Sequence, residues 1–341
     1  MAPFDDYTWN EIQSQPGAWA ATLDYLSGQA DQLRAFLRDQ PFERVVFTGC
    51  GSTYYLALAA AAALREIAGV DAIGLPASEV WLYPRTNFPT AKRALLVTVS
   101  RSAETTETIR AVESFRAAGR GPVLTISCFD RALASMGDLN LVLEAGQENS
   151  IAQTRAFSTL YLATLYLAAL HAGRDDLLSE LGRLPEAGRR LLATYGPLAH
   201  EVACAEERQR FYFLGSGMRY GLACELNLKM KEMSLTDSEP FHFMEYRHGP
   251  QSMANPAAAI VGMVSDANRG QETAVLDEMR ALGARCVAIG VGGEVDLAPI
   301  DELVRGPLYL PFGQMLAYER AIFRGLTPDQ PNQLVAVIKL P

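Results

Sequence analysis

The sequence predicts an α/β protein of two domains, each a parallel sheet flanked by helices. Two observations predict it. Short β-branched runs alternate with amphipathic helical stretches, and the whole series of elements then occurs a second time along the chain.

The first series opens with the strand-like run RVVFTG at 44–49, followed by a helical stretch from about Tyr54 to Ile67. DAIGLP at 71–76 and ALLVTVS at 94–100 supply the next two strands, the second leading into a helix that runs to Ala118. PVLTISC at 122–128 and LNLVLEAG at 139–146 complete the sheet. The apolar stretch STLYLATLYLAALHAG at 158–173 is short for a membrane span and rich in tyrosine, so it reads as a buried helix.

The second series follows at an offset of about 165 residues. FTGCGSTYYLALA from Phe47 is matched by FLGSGMRYGLACE from Phe213, with Gly49 and Gly51 answering Gly215 and Gly217. ALLVTVSRSAETTETIRAVESFRAAG is echoed by AIVGMVSDANRGQETAVLDEMRALG, and VLTISC by CVAIGV. A duplicated domain explains the constant offset. The chain therefore divides into a helical lead (1–40), a first α/β domain (41–180), a helical connection (181–204) and a second α/β domain with a C-terminal tail (205–341).

Composition narrows the function classes. The 341 residues are 49% hydrophobic and 20% charged, enough for two globular cores. A net charge of -9, with Lys and Arg scattered, argues against nucleic acid or an anionic membrane as partner. Five cysteines without a CxxC spacing indicate neither a disulfide framework nor a zinc site, and no metal or organic cofactor is expected. The N-terminus lacks a basic region followed by an apolar run, so no secretory signal is read and a cytoplasmic protein is expected.

In open α/β sheets ligands sit outside the carboxyl ends of the strands, which directs attention to the strand-to-helix turns. GCGST, Gly49 to Thr53, offers a tight glycine turn with the hydroxyls of Ser52 and Thr53; it serves helix–strand packing as readily as a ligand. SRSAET says more. Ser102 reads as a helix N-cap with Glu104 at the positive end of the dipole, but capping does not call for Ser100, Arg101 and Thr105 as well. Hydroxyls gathered at a helix N-terminus suit an anion such as a phosphate monoester, provided Glu104 and Glu107 point away.

Two later stretches add candidate groups. ENSIAQTRAFST, 148–159, reads either as a polar loop capping a helix or as part of the site. In LNLKMKEMS, Lys229 and Glu232 are three apart, hence neighbours on a helix; a surface ion pair is the plain reading. In MEYRHGP, His248 precedes a Gly-Pro turn that fixes its backbone, and His242 in EPFHF reads as structural.

Together these motifs resemble the tandem SIS (sugar isomerase) domain family, as in the isomerase half of glutamine–fructose-6-phosphate transaminase and related amino-sugar-phosphate deaminases and deglycases. The resemblance runs from EIQSQPGAW through GCGSTYY, SRSAETTET, AQTRAFST, LKMKE and EYRHGP to LAYERAIFRGLTPDQPNQL, almost the whole chain. It implies two flavodoxin-like domains and a sugar phosphate held by Ser52, Thr53, Ser100, Arg101, Ser102 and Thr105, with Ile151 from the next loop and Lys229 beside the acid/base. Glu232 inherits the glutamate of the family's KLKE, which moves a proton between C1 and C2 of the sugar. His248 inherits the histidine of the family's HGP, which assists ring opening and enters from the neighbouring subunit, so a homodimer with a shared active site is implied. Ring opening, a base for a carbon-bound proton and firm phosphate binding are what such a reaction needs.

Two departures from the transaminases shape the expected reaction. Those proteins begin with a glutaminase domain whose nucleophile is an N-terminal cysteine, whereas this sequence begins Met1-Ala2. Their tail also carries a lysine that forms a Schiff base with the keto sugar, where DQPNQLVAVIKLP has Ala336 and places Lys339 three residues on. Without an imine to activate a free ketose, a substrate already bearing nitrogen is favoured. The expected function is a phosphosugar isomerase/deaminase acting on an amino-sugar 6-phosphate resembling glucosamine 6-phosphate. A fructosamine-6-phosphate deglycase and a non-catalytic sugar-phosphate sensor are the alternatives. The echo loop has Asp266 where the first has Arg101, so one phosphate site is expected in the domain pair.

Overall fold

The computed structural model of the chain describes residues 6–89 and 92–340. Helices α1 (Tyr7–Gly28) and α2 (Ala30–Asp39) lead into β1 (Arg44–Gly49), α3 (Ser52–Ala68), β2 (Ala72–Pro76), α4 (Ala77–Leu82) and α5 (Pro84–Asn87). Next come β3 (Ala94–Ser100), α6 (Thr106–Ala117), β4 (Val123–Ser127), β5 (Leu139–Val142), α7 (Arg155–His171), α8 (Asp175–Leu181) and α9 (Leu184–Ala203). The second series is β6 (Arg210–Leu214), α10 (Arg219–Ser234), β7 (Asp237–Phe241), α11 (Phe243–Tyr246), β8 (Ala258–Met263), α12 (Arg269–Ala281), β9 (Arg285–Gly290), β10 (Val295–Asp296) and α13 (Leu310–Phe323).

The strands form two five-stranded parallel sheets, ordered β2-β1-β3-β4-β5 and β7-β6-β8-β9-β10. Each is the 2-1-3-4-5 order of a flavodoxin-like domain. The duplication read from sequence is thus a duplication of topology. β2 and β7, which neither series could lose without losing the order, are edge strands holding Pro76 and Pro240. An edge is where a missing N–H is tolerated. Pro240 and the two-residue β10 gave no strand signal, so the β7 and β10 edges add to the strands read from sequence.

Of the described residues, those within 17–148, 155–182 and from Val335 on form the compact unit around the first sheet. Those up to Pro16, 149–154 and 183–334 form the unit around the second. In the first unit Val46, Leu96, Val112, Phe115 and Val123 make one core layer between sheet and helices. Leu214, Ile260, Val275, Leu276 and Met279 make the matching layer in the second. α7 is buried at every residue from Ala156 to Leu170, because it packs on α3 and against α8 and α2. The buried Trp19 indole donates to Ser158 Oγ of that helix at 2.8 Å. Among the described residues no helix is long and apolar enough to cross a membrane, and all five cysteines are free.

Candidate functional site

β1 and β3 are neighbours while their helices leave toward different strands, so the turns after them meet at the point where the strand order reverses. That point holds the two loops singled out by sequence. In the β1 turn, a Cβ on Gly49 would lie 2.4 Å from Thr53 Oγ1, and Gly51 has φ 55°. In the β6 turn, a Cβ on Gly215 would lie 2.4 Å from the Arg219 carbonyl oxygen, and Gly217 has φ 58°. The first glycine of each turn therefore lets the helix close on its strand, and the second makes the left-handed corner. Thr53 Oγ1 accepts from Cys50 N–H and donates to Cys50 O, both at 2.9 Å. Burial pushes the Cys50 thiol up to about 12.

The β3 loop is built by its own hydroxyls. Ser100 Oγ accepts from Ala103 N–H at 3.1 Å, Ser102 Oγ accepts from Glu104 N–H at 3.2 Å, and the Ser102 and Thr105 hydroxyls lie 3.4 Å apart. Ala103 adopts φ 57°, which no helix accommodates, so α6 starts only at Thr106 with Thr105 as its N-cap. The reading of Ser102 as the cap is corrected accordingly. Cys128 N–H donates to Arg101 O and Leu133 N–H to Ala103 O. In a trans peptide N–H and C=O point oppositely, so the Ser102 N–H is directed away from β4. Ser52, Thr53, Ser100, Arg101 and Ser102 are buried and Thr105 is half-buried.

Arg101 is a clamp within this loop. Its Nη1 lies 3.1 Å from Glu148 Oε1, with the Glu148 side chain fully buried, and its Nη2 donates to Ala336 O at 3.2 Å. The tail continues the contact, since Thr106 N–H donates to Ile338 O at 3.4 Å and Leu340 N–H to Thr106 Oγ1 at 3.1 Å. Glu104 pairs with Arg131 and stands 3.7 Å from Lys339 Nζ. The bond from Arg131 holds the Glu104 carboxyl below its usual range. Lys339 is thus engaged on the loop's surface by its charge. Neither Glu148 nor the tail was assigned a partner from sequence, because 47 and 235 positions separate them from Arg101.

The corresponding loop after β8 uses the same turn with opposite charge. Ser265 Oγ accepts from Asn268 N–H at 3.0 Å, as Ser100 does from Ala103. The buried Glu272 carboxylate takes the Ser265 N–H at 2.6 Å, and Asp266 pairs with Arg305 at 2.7 Å. An N–H that a phosphate would need is held there by a carboxylate.

α10 carries the acid/base candidate. Lys229, which the plain reading put on the surface, is completely buried, and the surface-pair reading is corrected. Its ammonium lies 3.4 Å from Glu225 Oε1, itself fully buried, and is hydrogen-bonded to Glu232, whose side chain is 20% exposed. Arg219, Glu225, Asn227 and Lys229 are buried around a helix that also buries Leu222, Leu226 and Met230. Lys231 is exposed and Glu232 half-buried near the end of the helix, whereas Lys229 lies on its buried side. Glu232 opens on a cleft of about 250 Å³ lined also by Thr327, Gln330 and Asn332. Glu225, four residues before Lys229, was missed by sequence reasoning although the Glu-to-Lys i,i+4 order was a visible signal.

The remaining predicted residues are His248, His242 and Ile151. His248 is exposed in the turn after α11, its N–H donating to Glu245 O at 3.0 Å, with Gly249 at φ 122°. His242 stacks on Tyr220 with ring centroids 3.8 Å apart. Ile151 falls in the unit of the second sheet, where its N–H donates to Asp329 O at 3.2 Å.

A model of the SIS domain matches residues 37–171, the stretch that contains the β1 and β3 loops. That segment is similar to a SIS domain, and similarity to known proteins extends beyond it. The chain is 26% identical over 340 residues to the glutamine–fructose-6-phosphate aminotransferase [isomerizing] of Sulfurisphaera tokodaii, covering 96% of this chain and 55% of that protein. It spans about half the length of that relative. The solved glucosamine-6-phosphate deaminase of Thermotoga maritima is 28% identical, superposes with a TM-score of 0.83, and is covered in full by 98% of this chain. The C-terminal domain of the Francisella tularensis glucosamine-fructose-6-phosphate aminotransferase has the same fold, at TM-score 0.82 and 23% identity over 96% of this chain and 99% of that one.

Proposed function

We propose that the chain is a sugar-phosphate isomerase/deaminase that takes an amino-sugar 6-phosphate, opens its ring and moves a proton between C1 and C2. The observation that carries this reading is the fully buried Lys229 between the buried Glu225 and the partly open Glu232. A carboxylate fixed by an ammonium and still open to a cleft can exchange a proton with a bound carbon acid. In this reading Glu232 is the acid/base and the β3 loop, with Ser52, Thr53, Ser100, Ser102 and Thr105, holds the phosphate.

The similarity over its full length to a solved glucosamine-6-phosphate deaminase supports release of ammonia as the outcome. Ala336 supports the same choice. Its carbonyl is bonded to Arg101 and its methyl side chain has no amine for an imine. We further propose that His248 assists ring opening from a second copy of the chain, its exposed turn being free to serve a neighbour.

Purified protein is assayed with glucosamine 6-phosphate for ammonia and for solvent deuterium at C1 of the ketose phosphate formed, with fructosamine 6-phosphate in parallel for released amine. The expected result is ammonia from the first substrate, abolished in Glu232→Gln while sugar-phosphate binding persists. Release from the fructosamine alone makes the protein a deglycase; binding without turnover of either makes it a sensor.

A further inference from the structure

Three side chains outside the groups above converge where α9 ends against α13. His200 lies in the last turn of α9, Cys204 is the helix's C-cap one turn on, and Glu319 comes from α13. His200 Nδ1 is 2.8 Å from Glu319 Oε2 and 3.5 Å from Cys204 Sγ, and all three donor atoms lie within 4.8 Å of one another. We propose that this cluster binds a zinc-class divalent cation through Cys204 Sγ, His200 Nδ1 and Glu319, with solvent as the fourth ligand.

The spacing suits a tetrahedral ion. With Zn–S about 2.3 Å and Zn–N about 2.0 Å, the tetrahedral angle separates sulfur and nitrogen by about 3.5 Å, the separation found here. Nitrogen and oxygen ligands would stand about 3.3 Å apart, so the His200–Glu319 contact opens by about half an ångström as the proton between them gives way to the metal. Binding releases the thiol proton to solvent, and the imidazole proton shared with Glu319 leaves Nδ1 while Nε2 takes one up from solvent, so the ring stays neutral.

The surroundings favour a cation with these ligands. The C-terminal carbonyls of α9 carry the negative end of the helix dipole. Arg320, the positive group beside Cys204, has its guanidinium engaged by the Ala203 and Arg208 carbonyls at 2.9 and 2.6 Å. A His–Glu hydrogen bond needs no sulfur, and thiolate with imidazole selects zinc over calcium or magnesium. His200 is 65% exposed and Glu319 20%, so the ion and its water reach the site from solvent. Bound there, it ties the end of α9 to α13.

Cobalt(II) titration of the whole chain tests this, followed by displacement with zinc(II). The expected result is one cobalt per chain with a near-ultraviolet sulfur-to-cobalt charge-transfer band, lost on zinc addition. Cys204→Ser removes the band, and His200→Ala and Glu319→Ala each weaken cobalt binding at least tenfold, circular dichroism confirming that all three variants fold. No charge-transfer band, or a band that persists in Cys204→Ser, overturns the proposal.

Discussion

On α10, Lys229 Nζ stands 3.4 Å from Glu225 Oε1, and neither side chain has any exposed surface. A charge desolvated in this way is stable only while its partner remains. Glu225→Gln and Lys229→Met are each expected to destabilise the fold by about 3–5 kcal/mol. The double variant should lose less than the sum. Guanidinium unfolding of the four proteins measures both, and additivity would mean that the two residues do not support one another.

Arg101 and Glu148 form a second buried pair. Arg101→Gln removes the guanidinium 3.1 Å from the buried Glu148 carboxylate, at a cost of about 3–5 kcal/mol. It also removes the donor to Ala336 O. Hydrogen exchange at the Thr106 and Leu340 amides should therefore speed up more than at the Val97 amide inside β3. Equal acceleration everywhere would indicate a global loss of stability and no clamp.

Gly49→Ala and Gly215→Ala test the duplicated turns. Each new Cβ would sit 2.4 Å from an atom of the following helix, so each variant should lose about 1–3 kcal/mol, as overpacked sites do. Gly17→Ala, whose Cβ meets nothing within 4 Å, is the control in the same denaturation series.

Alkaline pH should unfold the chain early. Burial raises Cys50 to about 12, and Cys224 and Cys286 to about 11, from the ordinary 9.0. Above pH 9 the unfolded chain loses these protons first, so the unfolded state binds fewer of them and stability falls as pH rises. Their contribution is complete below pH 9 and declines by about 1.4 kcal/mol per pH unit for each thiol until its folded value is reached. Denaturation at pH 8 and pH 10 measures the slope, which Cys224→Ser and Cys286→Ser should flatten; an unchanged slope would remove the thiols as its cause.

Local order was legible in the sequence where local chemistry decides it. RVVFTG and ALLVTVS are strands at the residues read, and the repeat foretold a repeated strand order. Errors came where distant chain decides. Ser102 reads as a cap until Ala103 turns left-handed, and Lys229 with Glu232 reads as a surface pair until α10 is found to bury Lys229 completely. Glu148 and the tail became visible only as partners of Arg101, since no period or spacing links residues that meet only after folding.

The loops after β3 and β8 share a serine-capped turn, yet one gathers hydroxyls and the other carboxylates. The molecule therefore carries its own blank. In an amide-resolved titration with inorganic phosphate, residues 265–268 report what ionic strength and dilution do to such a turn, and any response confined to residues 100–105 is recognition.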